Sequence, residues 1–465
     1  MKLPSLLLGV ALALAGCVTP PKTEPQLQSV ADESVGLGTL ATPTIEARWW
    51  EQYGDPQFDR LVTTALERNP SLQQTLARVR AAQAQVQLIT GQRNPGVTLD
   101  GKEQRSRLPE QYLIPPPFGG GTYWSGQLLA NLSWDLDIWG RQAALIDQAR
   151  AGAKAAQLDA AAARLATTVA LSQTYLDLNR SIALADIAQQ SLLQRQRILD
   201  ITRKRISAGL DTNVELREAE SAVPQAELAR LQAEAAREVA IHRLAALIGE
   251  GAQAYDRIAK PTLNLETALS IPNELPADLL GRRPDILAAR ARVEAATSQR
   301  AAARAAFYPN INLSAFAGFQ AIGLDNLFQA ANRTYGAGPA ISLPLFDSQR
   351  LKSQFNAATA LQDEAIGAYN DAVLSAVQQV ADQLSQVNYS AQQLQQAHTA
   401  LASAEEAYRL AHKRYEAGLA NYISVLTTET QVLNARTTFV DILHQQAFAR
   451  VSLLLAIGGN FNAAT

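Results

Sequence analysis

The chain has 465 residues and a formal net charge of −2 at pH 7, so its charge gives no indication of a nucleic-acid partner. Charged residues make up 18% and aromatic residues 6%, and the charged share is below the ~25% that is usual in soluble globular proteins. One cysteine and four scattered histidines exclude a disulfide framework and leave little for thiol redox chemistry or a structural metal site. We therefore expect neither a metal or thiol enzyme nor a bound cofactor.

The N-terminus has the features of an export signal. A basic residue is followed by an apolar run from Leu6 to Ala15, and about ten residues is shorter than the ~20 that a membrane-spanning helix needs. The run ends at Cys17 in a Leu-Ala-Gly-Cys stretch that resembles the bacterial lipobox, in which the cysteine becomes the lipidated first residue. We predict a signal peptide over 1–16, lipid attachment at Cys17 and a lipidated tether over 17–44. An ordinary signal peptide with an incidental cysteine is the alternative.

The rest of the chain contains no run that resembles a transmembrane helix, because Gln, Arg, Asp or Glu interrupts every long apolar pattern. Such a chain spans a bilayer as a β-barrel or not at all. By the lipobox resemblance, Val18 in place of an aspartate favours the outer membrane.

An internal duplication organises the mature chain. Arg68 to Leu72 aligns with Arg282 to Ile286, Arg205 to Leu210 aligns with Arg414 to Leu419, and Glu220 aligns with Glu429. Copies of about 210 residues are far longer than solenoid repeats, so each copy is a duplicated structural unit. We place the first unit at 45–255, a linker or equatorial segment at 256–283, and the second unit at 284–459.

Each unit is predicted to contain a helix, two strands, a long helix, a tight turn and a return helix. The first helix runs from Ser71 to about Arg93 and ends before Asn94-Pro95. The later elements of the first unit are strands at about 96–107 and 123–138, a long helix at about 139–208 and a return helix at about 213–249. Those of the second unit are strands at about 310–321 and 335–347, a long helix at about 348–417 and a return helix at about 421–457.

The paired strands alternate in polarity. In the second strand the apolar row is Leu128, Ala130, Leu132, Trp134, Leu136 and Ile138, and only Leu129 interrupts the polar row. A transmembrane barrel with a water-filled lumen requires this alternation; a soluble antiparallel sheet over a core is the alternative. Because transmembrane barrels start at about eight strands, four strands per chain require oligomerisation, and three copies would supply twelve.

The long helices have coiled-coil spacing. An apolar residue recurs every seven positions from Ile366 to Tyr415, and the matching helix repeats this spacing from Leu178 to Ile206. A sustained seven-residue repeat produces a left-handed coiled coil. At 1.5 Å per residue each long helix is on the order of 100 Å long, which no globular domain accommodates.

The turns that follow the long helices contain Gly209-Leu210 and Gly418-Leu419, with glycine just past the helix end. We predict that these four residues form docking tips for a partner. Basic residues precede both turns, and compensation of the negative helix ends explains them better than direct partner contact does.

The stretch 414–426, together with Trp49-Trp50, Arg282 to Ile286 and Phe307 to Pro309, resembles the TolC-like outer membrane factors. The similarity covers essentially the whole mature chain and is strongest to the lipoprotein branch of RND-type tripartite efflux systems. It implies a mostly α fold with a β-barrel part. Each protomer would contribute long coiled-coil helices and four transmembrane strands, and a homotrimer would form a twelve-stranded barrel and a twelve-helix tunnel.

The resemblance also implies how such a protein works. It would be anchored to outer-membrane lipid, extend into the periplasm, and conduct drugs or other small molecules passively from a periplasmic adaptor and an inner-membrane RND-type transporter. Conduction and gating require neither catalytic residues nor a cofactor, and no metal site is expected.

The resemblance places the periplasmic gate after the second turn. Aspartates that are common in the family correspond here to Ser424 and Thr427, while the apolar ring position of the lipoprotein branch corresponds to Ile423. We predict closure by a threefold ring of Ile423, with Tyr422 beside it, and weakened cation trapping, because a charged ring selects by sign whereas an apolar constriction gates by dewetting. The alternative is that Ile423 is a core position of the coil.

Other functions share parts of this pattern. A duct for type I protein secretion would use the same fold. A metal-efflux duct is a further alternative, although one methionine and four dispersed histidines provide no ladder of soft ligands. A structural coiled-coil lipoprotein would explain the heptads and Cys17, but not the amphipathic hairpins at matching positions of both units.

Overall fold

The computed structural model describes residues 19–30, 46–110, 119–265, 279–344 and 346–459. The predicted signal peptide at 1–16 and the predicted lipid site Cys17 lie outside the described residues. The chain forms two compact units. The first takes its residues from Met1–Ser29, Val79–Ala156 and Ala289–Tyr369, and the second from Val30–Arg78, Gln157–Ala288 and Asn370–Thr465.

Helices predominate in the described chain. The long ones are, in chain order, α1 (Pro56–Arg68), α2 (Pro70–Gly91), α3 (Arg141–Ser207), α4 (Asn213–Leu247), α5 (Pro284–Ala305), α6 (Ser348–Glu416) and α7 (Tyr422–Ala456). The strands are β1 (Gly96–Arg107), β2 (Thr122–Asp135), β3 (Asn310–Ile322) and β4 (Arg333–Ser342). Among the described residues, none of the helices is both long enough and apolar enough to cross a membrane.

The first unit contains a four-stranded antiparallel sheet in the order β1-β2-β3-β4. Its register pairs apolar residues on one face, such as Leu99 with Ala130 and Leu128 with Phe319, and polar residues on the other, such as Gln127 with Gln320. The apolar face is open: Leu99, for example, is 71% exposed. An apolar sheet face that the chain itself does not cover suits contact with lipid.

β2 is shorter than the sequence pattern suggests. It ends at Asp135, so Leu136 and Ile138 are not part of its apolar row. Asp137 causes the early end, because its N–H donates to Asp135 Oδ1 and its own φ is 46°. The Asp137 carboxylate then accepts the N–H groups of the first turn of α3, so the chain leaves the strand in order to cap a helix.

The second hairpin shows two further differences. β4 ends at Ser342 rather than near 347, and Pro344 has no N–H with which to extend the ladder. On the polar face of β3, Phe316 lies opposite Gly336, where a Cβ would be only 2.8 Å from the Phe316 ring. The polar face therefore includes an aromatic side chain in addition to Leu129.

The duplication is visible in the second unit where the return helices end. The Asn69 side-chain amide donates to the Leu247 carbonyl at the end of α4, at 2.8 Å. The aligned residue, Arg283, donates from Nη1 to the Ala456 carbonyl at the end of α7, at 3.0 Å. Both residues precede a proline and both satisfy a terminal helix carbonyl, so aligned positions have the same role with different chemistry.

Asp55 organises the core of the second unit. Its carboxylate caps α1 by accepting the N–H groups of Gln57 and Phe58, and it also accepts the Tyr175 hydroxyl and the Thr262 N–H, both at 2.7 Å. Burial alone would raise the pKa of Asp55, but these hydrogen bonds outweigh burial and hold the pKa below its usual range. The Phe58 and Tyr175 rings stack beside it with centroids 4.9 Å apart.

Candidate functional site

The two turns between long and return helices have the same backbone geometry. Gly209 and Gly418 have φ values of 71° and 75°. Each glycine N–H donates to the carbonyl three residues earlier, and the following leucine N–H donates to the carbonyl five residues earlier. This is the Schellman motif, which requires a residue that tolerates positive φ.

The predicted docking leucines lie on the surface of these turns. Leu210 is 65% exposed and Leu419 is 71% exposed. Each of the two turns therefore exposes one leucine side chain, and their role as docking tips stays a prediction.

A charged cluster connects the first turn with α6. Arg205 donates from Nε and Nη2 to the two carboxylate oxygens of Asp211, at 2.9 and 3.1 Å. Its guanidinium carbon lies 4.7 Å from the centre of the Tyr415 ring, and the Tyr415 hydroxyl lies 3.4 Å from Asp211 Oδ2. The sequence pattern indicated only dipole compensation for Arg205, whereas the structure gives it specific partners.

Three of the predicted gate residues share one exposed side of α7. Asn421 caps this helix by accepting the N–H and the hydroxyl of Ser424, at 3.1 and 2.8 Å. The Thr427 hydroxyl donates to the Ile423 carbonyl one turn earlier. Ser424 and Thr427 are exposed, and Ile423 is 48% exposed. This side of the helix start therefore presents an apolar side chain and two hydroxyl groups, with no charge at these three positions.

Tyr422 lies on the opposite side of the helix. It is 1% exposed and packs with Ile198, Tyr415 and Val425. Helical periodicity explains the separation, because Tyr422 and Val425 follow one stripe of the helix whereas Ile423 is turned away from it. The structure thus brings Ile423, Ser424 and Thr427 together and leaves Tyr422 in the coil interior.

The sequence pattern assigns no functional role to Glu429, which nevertheless lies on the buried stripe of α7. Its side chain is 2% exposed, and Arg195 Nε of α3 is 3.7 Å from its Oε1. The spacing could have identified this residue, because Glu429 follows Tyr422 by one heptad and therefore occupies a core position of the coil. Within the described ranges, no group of three or more His, Cys, Asp or Glu side chains is arranged to hold a metal ion.

An open apolar sheet face combined with long coiled helices defines the protein as a membrane channel of the outer-membrane type. Residues 61–250 and 275–459 match the outer membrane efflux protein family. The chain belongs to this family.

Relatives of known name support this assignment. The chain is 34% identical over 362 residues to the fusaric acid resistance protein FusA of Burkholderia cepacia, covering 76% of this chain and 68% of FusA. It is 30% identical over 465 residues to the multidrug resistance outer membrane protein MdtQ of Escherichia coli O157:H7, covering 97% and 96%. The crystal structure of the outer membrane protein VceC from Vibrio cholerae superposes with a TM-score of 0.84 at 33% identity, over 90% of this chain and 100% of VceC.

These similarities confirm the predicted family, fold class and location. The protein is a TolC-like efflux channel of the outer membrane that extends into the periplasm, and proteins of this family are passive channels rather than enzymes.

Proposed function

We propose that the protein is the exit duct of a tripartite efflux pump. Three copies would join their sheets into a twelve-stranded barrel and their helices into a twelve-helix tunnel. The observation that carries this proposal is the sheet of the first unit: within the described part of the chain, β1 and β4 each pair with a single neighbour, and the apolar face is open. Edge-to-edge pairing between copies would satisfy the free backbone groups that a membrane does not tolerate.

Drugs or other small molecules are the proposed cargo. The names of the relatives refer to resistance against fusaric acid and against multiple drugs, which supports small-molecule export over type I protein secretion. Metal efflux, the other alternative, would need metal-binding side chains along the channel, and one methionine and four histidines supply few of them. We therefore place a periplasmic adaptor and an inner-membrane RND-type transporter upstream of the duct.

Lipid attachment at Cys17 is part of this proposal, and the described start of the chain supports it. Arg300 donates to Glu24 Oε2 and to the Thr23 carbonyl, each at 2.7 Å. The N–H groups of Gln26 and Leu27 donate to Asp363 Oδ1 of α6, at 2.7 and 2.9 Å. The segment 23–27 is thus held by residues of the sheet-containing unit.

The proposed gate is an apolar constriction at Ile423, flanked by Ser424 and Thr427. Replacing Ile423 with alanine is expected to raise the conductance of the closed channel, because smaller side chains leave a wider opening that stays wet. Single-channel recording of the reconstituted full chain measures this, with Ile423→Leu as the matched control that keeps the apolar bulk. An unchanged closed-state conductance in Ile423→Ala would show that Ile423 does not form the constriction, and absence of any channel in the wild type would contradict the duct itself.

The proposed adaptor contact is made by the exposed leucines of the two turns. The double variant Leu210→Asp, Leu419→Asp is expected to lose adaptor binding and efflux, since burying two carboxylates in an apolar contact costs several kcal/mol. Adaptor recovery after crosslinking in whole cells and drug susceptibility are the measurements. The variant Leu210→Met, Leu419→Met serves as control because it keeps two apolar knobs. Normal recovery of the adaptor with the aspartate variant would place the contact elsewhere.

A further inference from the structure

A buried ion pair lies close to the proposed gate. Glu429 of α7 and Arg195 of α3 are separated by 3.7 Å, and their side chains are 2% and 12% exposed. Among the described residues, neither Glu429 carboxylate oxygen nor Arg195 Nε has a hydrogen-bond partner. Arg195 Nη1 donates to the Ala222 carbonyl of α4 at 3.3 Å. A charged pair with so few hydrogen bonds is costly to bury, which distinguishes it from the other ion pairs of the second unit.

The pair sits where three helices meet beside the start of α7. Glu429 continues the buried stripe of Tyr422 and Val425, which begins next to the exposed Ile423. A displacement of the start of α7 away from α3 would therefore hydrate Glu429 and separate it from Arg195.

The duplication provides an internal comparison. Glu220, the aligned residue of the first copy, is partly exposed on α4 and pairs with Arg217 at 2.8 Å and Arg203 at 3.9 Å. Aligned glutamates thus have opposite environments, one on the surface and one in the interior. Of these two aligned glutamates, only the one on the helix that carries the proposed gate is buried.

We propose that Glu429 and Arg195 form a proton-sensitive latch, in which a proton bound by Glu429 stabilises the packing of α7 against α3 next to the gate. The proposal rests on the proposed gating function at the start of α7. Protonation removes the unsolvated carboxylate charge from the interior, whereas ionised Glu429 gains full hydration only when the helices separate.

The direction of the pH response follows from how the pKa of Glu429 differs between the packed and the separated helices. Burial raises the pKa of Glu429, and Arg195 opposes this only in part. A group with a raised pKa in the packed state stabilises that state in acid, and the stabilisation is lost as the pH rises through the raised pKa. Acid is therefore expected to close the channel, and higher pH to favour opening.

The groups that surround Glu429 leave few other candidates for this response. Arg195 on α3 supplies the counter-charge, 3.7 Å from Glu429 Oε1. Burial, followed by the charge of Glu429, raises the pKa of Tyr408 on α6 and of Tyr422 to about 12, so neither tyrosine titrates in acid. Tyr415 on α6 and Glu218 on α4 also face Tyr422, and the charge of Glu416 acts on Tyr408.

The decisive experiment compares open probability at about pH 5 and about pH 8 for the full chain in planar bilayers. The wild type is expected to open at least about threefold more often at the higher pH. Glu429→Gln mimics the protonated residue and is expected to stay at the low value at both pH values. Glu220→Gln, its aligned counterpart, and Glu218→Gln are the matched controls and should keep the wild-type response. Arg195→Gln should move the response to higher pH, because Glu429 then lacks its counter-charge.

A pH response that persists in Glu429→Gln, or that is lost in Glu220→Gln or Glu218→Gln, would overturn the latch. Channels that open without any pH dependence would overturn the latch alone, whereas a wild type that never conducts would contradict the proposed duct. Hydrogen exchange of the amides over 422–432 gives a readout that does not need conduction. At about pH 8 these amides should exchange at least about threefold more slowly in Glu429→Gln than in the wild type, and equal exchange rates would contradict the latch.

Discussion

Asp55→Ala should destabilise the second unit by at least about 3–5 kcal/mol, because a buried charged acceptor is removed and its donors stay behind. The Tyr175 hydroxyl and the Thr262 N–H would lose an acceptor in the core, and the N–H groups of Gln57 and Phe58 would lose their helix cap. The measurement is the midpoint of thermal unfolding of the detergent-solubilised protein, together with its yield in the outer membrane.

Asp55→Asn is the matched control. Asparagine keeps one acceptor oxygen and can still cap α1, so its loss should be clearly smaller than that of the alanine variant. Equal losses for the two variants would show that the carboxylate charge, and not the number of hydrogen bonds, determines stability.

Comparison of the wild type with Asp55→Asn at different pH values tests the lowered pKa of Asp55. A carboxyl group whose pKa is lowered by folding contributes stability above its unfolded pKa of about 3.9, and that contribution disappears as the pH falls through the lower folded pKa. The wild type should therefore lose its advantage over Asp55→Asn as the pH falls below about 4. A constant difference across that range would contradict the lowered pKa.

The regular parts of this fold were accessible from sequence because periodicity reports them. Alternation of polarity locates the strands, and seven-residue spacing locates the long helices, each within a few residues of their observed ends. The misplaced strand ends have local causes that periodicity does not contain: Asp137 caps α3 and thereby ends β2 three residues early. Apolar alternation continues through Leu136 and Ile138, although the backbone has already turned.

The candidate site was predictable only in part, because a heptad pattern does not say which side of a helix is covered. Tyr422 and Ile423 are neighbours in sequence and both are apolar enough for a ring, yet one is in the coil interior and the other is at the surface. Alignment of the two copies likewise equates Glu220 with Glu429, although the Glu220 side chain is 32% exposed and the Glu429 side chain only 2%. Burial is set by tertiary contacts, which neither pattern encodes.

Substitution of the glycines at the helix ends is the second change that we expect to have a large effect on stability. The four residues Gly209, Gly418, Gly249 and Gly458 all have positive φ, between 71° and 85°. At Gly209 and Gly418 an added Cβ would meet no atom within 4 Å, whereas at Gly249 it would lie 2.4 Å from the Arg68 carbonyl oxygen and at Gly458 2.6 Å from the Arg282 carbonyl oxygen. The first pair therefore needs glycine for its backbone conformation alone, and the second pair also for close approach of another segment.

Alanine substitutions at these glycines therefore separate the cost of positive φ from the cost of a collision with backbone. Gly209→Ala should cost about 1–2 kcal/mol, the cost of a left-handed alanine, and should lower the thermal midpoint only slightly. Gly249→Ala and Gly458→Ala should cost about 2–5 kcal/mol, because a collision with backbone adds to the same conformational cost. Arg68 and Arg282 precede Asn69 and Arg283, which close the return helices, so relief of the collision would also loosen those helix ends. Thermal midpoints that fell equally for Gly209→Ala and Gly249→Ala would mean that the close approach contributes nothing, and that positive φ alone accounts for glycine at all four helix ends.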